Sequence, residues 1–214
     1  MDADGLTFCC ATTAEERVAK RLGLTTARMG LGVANGVPEG RLVSFGVAGS
    51  LGGLAVGDVL DATRVVDETG ATLWEGDGLG VRGARPGVLL GGSVLVSSAA
   101  ERDRLRETTG AVLGGGVLVQ DATERERLRE ASGAEAVDME SGTLARSGRL
   151  AGVVRAISDD ASSSVEGLDR TIHPDGRTNV AGLARWVVTQ RGGAIRTIRG
   201  AMRALKALEE AVAA

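Results

Sequence analysis

Short apolar runs and longer amphipathic stretches alternate along this chain. Residues 6–11 (LTFCCA), 41–46 (RLVSFG) and 152–157 (GVVRAI) are short and bounded by turn residues, which predicts buried β-strands. Residues 56–66 (VGDVLDATRVV) predict either one long bent strand or a pair of strands. Residues 14–23 follow a threonine N-cap, carry two acids in the first turn and end at a glycine, which predicts a helix.

The C-terminal part of the chain predicts two amphipathic helices. Residues 179–190 form the first helix. In the second helix, six apolar residues at helical spacing predict one stripe that closes the domain. These are Ile195, Ile198, Met202, Leu205, Leu208 and Val212. Four basic residues lie off the stripe and fit either a solvated face or a contact with an anionic membrane surface. They are Arg196, Arg199, Arg203 and Lys206.

One strand–helix unit occurs twice in the middle of the chain. Val94 in the first copy corresponds to Val117 in the second, an offset of 117 − 94 = 23 residues. In each copy an apolar run precedes a helix whose charges alternate in sign. Two copies are too few for a solenoid, so we interpret them as consecutive units of the same sheet. The charged helix faces are predicted to be solvated surface.

Length and composition restrict the class of protein. The 214 residues are predicted to form a single domain, 1–214. A net charge of −3 with interleaved acids and bases, together with few aromatic residues, argues against nucleic-acid binding. No apolar run spans a bilayer and no signal segment opens the chain, so we expect a soluble cytoplasmic protein. One histidine and the adjacent Cys9 and Cys10 offer no zinc site, and no metal is expected.

Residues 136–161 (AVDMESGTLARSGRLAGVVRAISDDA) carry most of the candidate chemistry. Glu140 precedes a predicted helix rich in small residues, and Asp159 follows the predicted strand 152–157. Because α/β folds bind ligands at the C-terminal ends of strands, Asp159 is a candidate site residue. Arg155 places a charge inside an apolar strand, so it needs an acidic partner or a ligand.

Two motifs in this stretch carry a family resemblance. VDMES (137–141) followed by VRAISD (154–159) resembles the purine nucleoside phosphorylase and methylthioadenosine/S-adenosylhomocysteine nucleosidase superfamily. The segment FGVAGSL (45–51) resembles the strand and glycine-rich turn of the same superfamily. Within the superfamily, the nearest branch looks like the hopanoid-associated phosphorylases, and this resemblance implies removal of adenine from adenosylhopane.

The pattern and the resemblance together predict an α/β fold of three layers, α/β/α, with a central mixed sheet. The chain departs from the family at residues 33–40 (VANGVPEG), which are too short and too rich in breakers for the long connecting helix expected there. One connecting helix is therefore predicted to be truncated. One face of the sheet is then either less covered or covered by a partner subunit.

The resemblance implies how the purine end of a nucleoside is bound. Asp159 is the general acid that gives a proton to purine N7, and Ser158 orients it. Asp160 takes this role instead if the register slips by one residue. Leu118 stands where relatives place a phenylalanine that stacks on the purine, which implies a flat apolar contact and looser base selectivity.

The resemblance also implies how the sugar end is bound. Glu140 accepts hydrogen bonds from the ribose 2′- and 3′-hydroxyls, and Met139 packs on the sugar face. Glu15 activates or positions the nucleophile or contacts the sugar, with Glu16 as the alternative register. Ordinary first-turn electrostatics explains these two acids equally well. Arg155 is a further substrate-site candidate, paired with an acid near the site.

The glycine-rich turn is predicted to hold an anion or a polarised water. The backbone N–H groups of Ala48 and Gly49 would converge on it. Many relatives carry a serine where this chain has Val47, so help from a hydroxyl is lost.

The nucleophile is either water or phosphate. A phosphorylase needs cationic side chains, and no motif fixes Arg28, Arg41 or Arg64 in that role. We therefore favour hydrolysis. No cofactor is expected, and inorganic phosphate is the alternative co-substrate.

The predicted function is cleavage of the N-glycosidic bond of a 5′-substituted adenine nucleoside, a small-molecule substrate. Methylthioadenosine/S-adenosylhomocysteine nucleosidase and futalosine hydrolase are the near alternatives. A catalytically inactive nucleoside-binding module is the alternative from another class, motivated by the truncated helix, Val47, Leu118 and the absence of tyrosine. A homo-oligomer, dimeric or larger, is expected by resemblance alone.

Overall fold

The computed structural model describes residues 3–92, 122–160, 171–190 and 192–213. The strands within these ranges are β1 Leu6–Cys10, β2 Thr26–Arg28, β3 Arg41–Ser50, β4 Val59–Val66, β5 Thr72–Glu75, β6 Arg85–Gly91, β7 Ala136–Asp138 and β8 Leu150–Asp159. The helices are α1 Thr13–Arg21, α2 Ala122–Ser132, α3 Ser141–Arg146, α4 Val180–Gln190 and α5 Gly192–Ala213. Leu118 and most of both repeat copies lie outside the described residues, which include only the second copy's helix, α2.

Strand β3 is the centre of a mixed sheet. Its first half pairs in parallel with β1, and β8 runs parallel to it along most of its length. Its last residues pair antiparallel with β7, which runs parallel to β6, and β6 runs parallel to β4. Because β4 is also antiparallel to β8, these five strands close into a circuit. The predicted α/β fold with a central mixed sheet is confirmed.

Helices cover both faces of the sheet. Alternate residues of β1, β3 and β8 face opposite sides, as strand geometry requires. On one side, Phe8, Phe45 and Val154 pack with residues of α1 and α5. On the other side, Leu42, Val153 and Ile157 pack with Leu144 and Ala145 of α3. The result is the predicted arrangement of three layers.

The two adjacent cysteines follow this alternation. Cys9 belongs to the core on the α3 side and Cys10 to the core on the α1 side, and neither forms a disulfide. Burial raises the pKa of the Cys9 thiol to about 11 and raises that of Cys10 still further. Both cysteines are therefore small apolar core residues. No group of histidine, cysteine and acidic side chains in the described part of the chain is arranged to hold a metal ion.

Two predictions about connections can be compared with the structure. Between β2 and β3 the chain forms only a short 3₁₀ turn, Leu31–Val33, so the connecting helix is truncated as predicted. Residues 56–66 form one strand, β4, which begins at Val59. Within the described ranges, no helix has the length and apolar character needed to cross a bilayer.

The predicted apolar stripe of the last helix is partly wrong. Ile195 is 50% exposed and Met202 is 66% exposed. The buried line of α5 instead runs through Ala194, Ala204 and Leu208, because small side chains let the helix lie close to β8. Gly200 shows the same close approach, since a Cβ there would overlap the carbonyl oxygen of Ser158.

Candidate functional site

Charged side chains gather around the second half of β3. Gly46 of this strand pairs with Arg155, and Gly49 pairs with both Asp159 of β8 and Val137 of β7. A Cβ at Gly46 would overlap the carboxylate of Glu15 and the guanidinium of Arg155. The absence of a side chain at this position therefore lets both charged groups lie against the strand.

Glu15 turns into the protein from the first turn of α1. Its Oε2 accepts hydrogen bonds from the backbone N–H of Thr12 at 2.8 Å and from the Thr12 hydroxyl at 3.0 Å. The backbone N–H of Glu15 donates to the Thr12 hydroxyl oxygen at 3.3 Å, which completes a capping box. Its Oε1 accepts the N–H of Val47 at 2.8 Å. Glu16 points elsewhere and forms ion pairs with Lys20 and Arg28. Of the two candidate acids, Glu15 and Glu16, only Glu15 lies beside β3.

Arg155 is fully buried and has an acidic partner, as its place in an apolar strand requires. Its Nη2 lies 2.5 Å from Oδ2 of Asp138 and 2.6 Å from the hydroxyl oxygen of Ser44. Glu140 Oε2 is 3.6 Å from the same nitrogen, and Glu15 Oε1 is 3.9 Å from Nη1. Three carboxylates therefore surround one guanidinium. The Nε atom of Arg155 has no hydrogen-bond partner within the described residues.

Asp138 was missed by the sequence reasoning, although it is the nearest acid to Arg155. It also accepts hydrogen bonds from the backbone N–H and the hydroxyl of Ser141. The hydroxyl oxygen of Ser141 lies 2.8 Å from that of Ser44, which is therefore the donor in this contact. The sequence did contain a signal for Asp138, since this acid ends a buried strand two positions before Glu140. Ser44 and Ser141 carried no such signal in the sequence.

Glu140 lies just after β7 and is 4% exposed. Its Oε1 accepts the backbone N–H of Gly32 at 3.1 Å. Burial, and to a lesser extent the neighbouring Asp138 and Glu15, raise the pKa of Glu140 to about 8, whereas Arg155 opposes the shift. Glu140 is therefore largely protonated near neutral pH and is able to donate a hydrogen bond as well as accept one.

Asp159 lies at the end of β8 in an ion pair. Its Oδ2 is 2.6 Å from Nη2 of Arg125, and its Oδ1 accepts the Ser158 hydroxyl at 2.7 Å. Ser158 also lies 3.3 Å from the carbonyl oxygen of Ala48. Arg125 comes from α2, whose charged faces we predicted to be solvated. That prediction is wrong for Arg125, which is 1% exposed because its side chain turns towards the end of β3.

We predicted the glycine-rich turn a few residues too early, because residues 46–49 lie within strand β3. Strand β3 continues through Ala48 and Gly49 to Ser50, because β8 and β7 pair with it on its two sides. The pairing with β8 shifts register between Ala48 and Gly49. A Cβ at Gly49 would lie 2.9 Å from Oδ2 of Asp159 and 3.3 Å from Nη1 of Arg125. Gly49 thus provides space for this ion pair.

The candidate residues form two groups along the same strands. The first group contains Glu15, Arg155, Asp138 and Glu140, and Met139 is the half-buried residue between the last two. The second group contains Asp159, Ser158 and Arg125, with Asp160 next in the chain. Arg155 and Asp159 are four residues apart in β8, so their Cα atoms are roughly 13 Å apart. Leu118 lies outside the described residues.

Comparison with solved structures identifies the fold. The chain is 15% identical to the 5′-methylthioadenosine/S-adenosylhomocysteine nucleosidase of Neisseria meningitidis, with a TM-score of 0.51 over 97% of this chain and 96% of that one. The corresponding nucleosidase of S. pneumoniae is 14% identical, with a TM-score of 0.50 over 95% and 99%. Futalosine hydrolase of Helicobacter pylori is 16% identical, with a TM-score of 0.44 over 94% and 97%. At these identities the first two likenesses show the fold.

The sequence itself shows the family. A search of the curated proteins finds no significant match. The family model of the phosphorylase superfamily matches residues 10–188, which include every candidate site residue of both groups. This membership supports an N-glycosidase or nucleoside phosphorylase activity. Because the match covers most of the chain, the protein belongs to the phosphorylase superfamily.

Proposed function

We propose that this protein cleaves the N-glycosidic bond of a 5′-substituted adenine nucleoside, with water as the nucleophile. The observation that carries the proposal is the spacing of the two acidic groups along β3 and β8. Glu140 and Glu15 stand at one end and Asp159 stands four residues beyond Arg155. This separation suits a ligand with a sugar at one end and a purine at the other.

Cleavage of this bond creates positive charge on the sugar and negative charge on the departing base. Glu15, Asp138 and Glu140 surround the single cation Arg155. Even with a proton on Glu140, the cluster keeps a surplus of negative charge. Such a surplus stabilises an oxocarbenium-like sugar in the transition state. Asp159 supplies the proton for N7 of the departing purine.

The same charges favour water over phosphate. A phosphate dianion beside the carboxylates of Glu15 and Asp138 would be repelled, whereas a water molecule beside Glu15 would meet a base. Of the three arginines considered for phosphate, Arg28 pairs with Glu16, and Arg41 begins β3 at the end opposite to Gly49. Arg64 is exposed on β4. Phosphorolysis with inorganic phosphate remains the alternative reaction.

The 5′ substituent is proposed to be large and apolar, as in adenosylhopane, on the strength of the motifs that resemble the hopanoid-associated branch. The exposed face of α5 supports a lipid-like substrate, because Ile195 and Met202 lie beside exposed Arg199 and Arg203. Such a face suits peripheral contact with an anionic membrane. It equally suits burial in a homo-oligomer, which we also propose. Methylthioadenosine, S-adenosylhomocysteine and futalosine are the alternative substrates.

One observation favours the inactive nucleoside-binding module as a second candidate. Oδ2 of Asp159 is held by Arg125 at 2.6 Å, so this oxygen does not reach a purine while the ion pair is closed. Binding without turnover is the behaviour expected if this pair never opens.

The experiment compares three substrates, each with and without phosphate: adenosine, methylthioadenosine and an adenosine with a large apolar 5′ group. Free adenine and the sugar product are measured. Adenine released without phosphate supports the proposal, and a sugar 1-phosphate formed only with phosphate supports phosphorolysis. Asp159→Asn should lower kcat by about 10²–10⁴-fold, whereas the matched control Asp160→Asn should retain turnover. Nucleoside binding without release of any base would favour the second candidate and would contradict the proposed hydrolysis.

A further inference from the structure

We infer that the turn preceding α4 positions Glu140 for the sugar, acting through the short connection that replaces the truncated helix. We call this turn, residues 172–178, the strap, and the connection, residues 30–36, the cap turn. The inference rests on the proposed function, in which the sugar of the nucleoside lies at Glu140. It adds the cap turn and the strap to the groups that decide how the sugar is bound.

The cap turn lies directly against Glu140. The backbone N–H of Gly32 donates a hydrogen bond to its Oε1 at 3.1 Å, while its Oε2 is 3.6 Å from Nη2 of Arg155. The two carboxyl oxygens therefore have different neighbours, and the N–H group fixes the orientation of the carboxyl plane. This orientation matters because a carboxyl group holds two adjacent sugar hydroxyls only when both of its oxygens point towards them.

The backbone of the cap turn is strained and needs support from its surroundings. Val33 has a φ of +66°, a left-handed conformation that β-branched residues rarely adopt. Such a conformation persists only where neighbouring groups determine it. Burial of Val33 in the core on the α3 side supplies part of this support, and the strap supplies further contacts.

The strap holds the cap turn through backbone and side-chain contacts. The N–H of Leu31 donates to the carbonyl oxygen of Pro174 at 2.9 Å. The side-chain amide of Asn35 donates to the carbonyl oxygen of Asp175 at 3.4 Å. A Cβ at Gly30 would overlap the Pro174 oxygen, so the two segments touch where there is no room for a side chain.

The strap is anchored in turn on the first turn of α1. The carbonyl oxygen of Gly176 accepts hydrogen bonds from the backbone N–H of Thr13 at 3.0 Å and from the Thr13 hydroxyl at 3.2 Å. A Cβ at Gly176 would overlap the carbonyl oxygen of Ala11, which shows a second close approach. The same turn of α1 contains the capping box of Glu15. The strap therefore connects the segment that carries Glu15 with the segment that orients Glu140.

The strap is closed by its own hydrogen bonds. The N–H of His173 donates to the carbonyl oxygen of Arg177 at 2.8 Å, and the N–H of Gly176 donates to that of His173 at 2.9 Å. Ile172 and Thr178 form an antiparallel bridge at its base. Its central residues 174–176 (PDG) are typical of turns. Because the strap is closed on itself, loss of its contact with the cap turn releases the cap turn and leaves the strap in place.

The first test removes the contact between the strap and the cap turn. Gly30→Ala inserts a Cβ where the Pro174 oxygen lies, and Asn35→Ala removes an exposed amide that reaches Asp175. Gly40→Ala is the matched control, because Gly40 has a similar φ of +88° and no atom of the described residues lies within 4 Å of an added Cβ there. The measurements are kcat and KM for the best substrate of the panel and for its 2′,3′-dideoxy analogue.

The expected result is a rise in KM that depends on the sugar hydroxyls. For the parent nucleoside, KM should rise about 10–100-fold in Gly30→Ala and about 3–10-fold in Asn35→Ala, because the hydrogen bonds between Glu140 and the hydroxyls are weakened. The value of kcat should change by less than about threefold, since these bonds are present in the bound substrate as well as in the transition state. The analogue has no hydroxyls for Glu140 to hold, so its KM should be the same in every variant. An unchanged KM for the parent, or equal increases for both substrates, would overturn the inference.

A second measurement separates this inference from the proposed function. Hydrogen exchange of the Gly32 amide, followed by NMR spectroscopy, reports on its hydrogen bond to Glu140. Exchange should become about 3–10-fold faster in Asn35→Ala and stay at the wild-type rate in Gly40→Ala. Because Asn35 is exposed, this variant decides the outcome even if Gly30→Ala fails to fold. If no nucleoside is cleaved, the proposed function fails, while the exchange rate still decides whether the strap holds the cap turn on Glu140. Equal Gly32 exchange in Asn35→Ala and the wild type would refute the role of the strap.

Discussion

Replacement of Glu140 by glutamine should make the protein more stable than the wild type at alkaline pH. The pKa of Glu140 is raised from 4.5 to about 8, first by burial and then by Asp138 and Glu15. In the unfolded chain the carboxyl ionises near its ordinary pKa, so between these two values the folded state binds a proton that the unfolded state does not. The free energy of unfolding therefore falls as the pH rises through this window.

The magnitude follows from the same two values. A difference of about 3.5 pH units, at about 1.4 kcal/mol per unit, gives about 5 kcal/mol between pH 4.5 and pH 8. This is an upper bound, because any rearrangement of the surrounding groups around an ionised Glu140 recovers part of this free energy. Glutamine keeps the shape and the neutral state of the protonated acid, so the free energy of unfolding of Glu140→Gln should not fall in this pH range. Its advantage over the wild type should grow steadily between pH 5 and pH 8.

The assay is denaturant unfolding of wild type and Glu140→Gln at intervals from pH 5 to pH 9. Glu16→Gln is the matched control, because Glu16 is a first-turn acid of α1 that pairs with Lys20 and Arg28 instead of facing Arg155. A stability difference between Glu140→Gln and the wild type that stays constant over this range would refute the reasoning. It would mean that Arg155 compensates the ionised carboxylate fully.

Three further predictions concern the same two groups. Asp138→Asn should lower the free energy of unfolding by about 3–5 kcal/mol in denaturant titrations, because it leaves the buried guanidinium of Arg155 without its nearest anion; a loss below 1 kcal/mol would contradict this. Gly46→Ala should cost about 1–3 kcal/mol in the same titrations, since its Cβ would overlap Glu15, and wild-type stability would show that the carboxylate moves freely. Asp159→Asn should lower kcat by about 10²–10⁴-fold with an unchanged circular dichroism spectrum, and retained turnover would exclude it as the acid.

The fold was largely predictable because its signals are local. Short apolar runs between turn residues locate β1, β3 and β8 within one to four residues, and the threonine N-cap locates the start of α1. The end of β3 was less predictable. Residues rich in glycine predict a turn, yet here Gly49 lies in a strand, because two neighbouring strands hold it extended and two charged side chains need its space.

The burial of Arg125 could not be predicted from the charge pattern of its helix. Arginines alternate with acids through α2, which predicted a solvated surface. Helical spacing nevertheless places Arg125 on the face of the buried Leu128 and Ser132, at positions i, i+3 and i+7. A face with one leucine and one arginine has too little apolar character to be recognised as buried. Its burial depends on an acid at the end of β8, 34 residues further along the chain, which no local pattern can reveal.

Glu15 illustrates why a structural and a functional interpretation of one residue need not compete. The sequence fits helix capping and site chemistry equally well, and the structure shows that the two carboxylate oxygens have different surroundings. Oε2 is occupied by Thr12 and completes the capping box, whereas Oε1 faces the Val47 amide and Arg155. The capping contacts therefore fix the direction of the second oxygen. A helix start built in this way holds a carboxylate rigidly beside β3, which is the property that a base activating a water molecule requires.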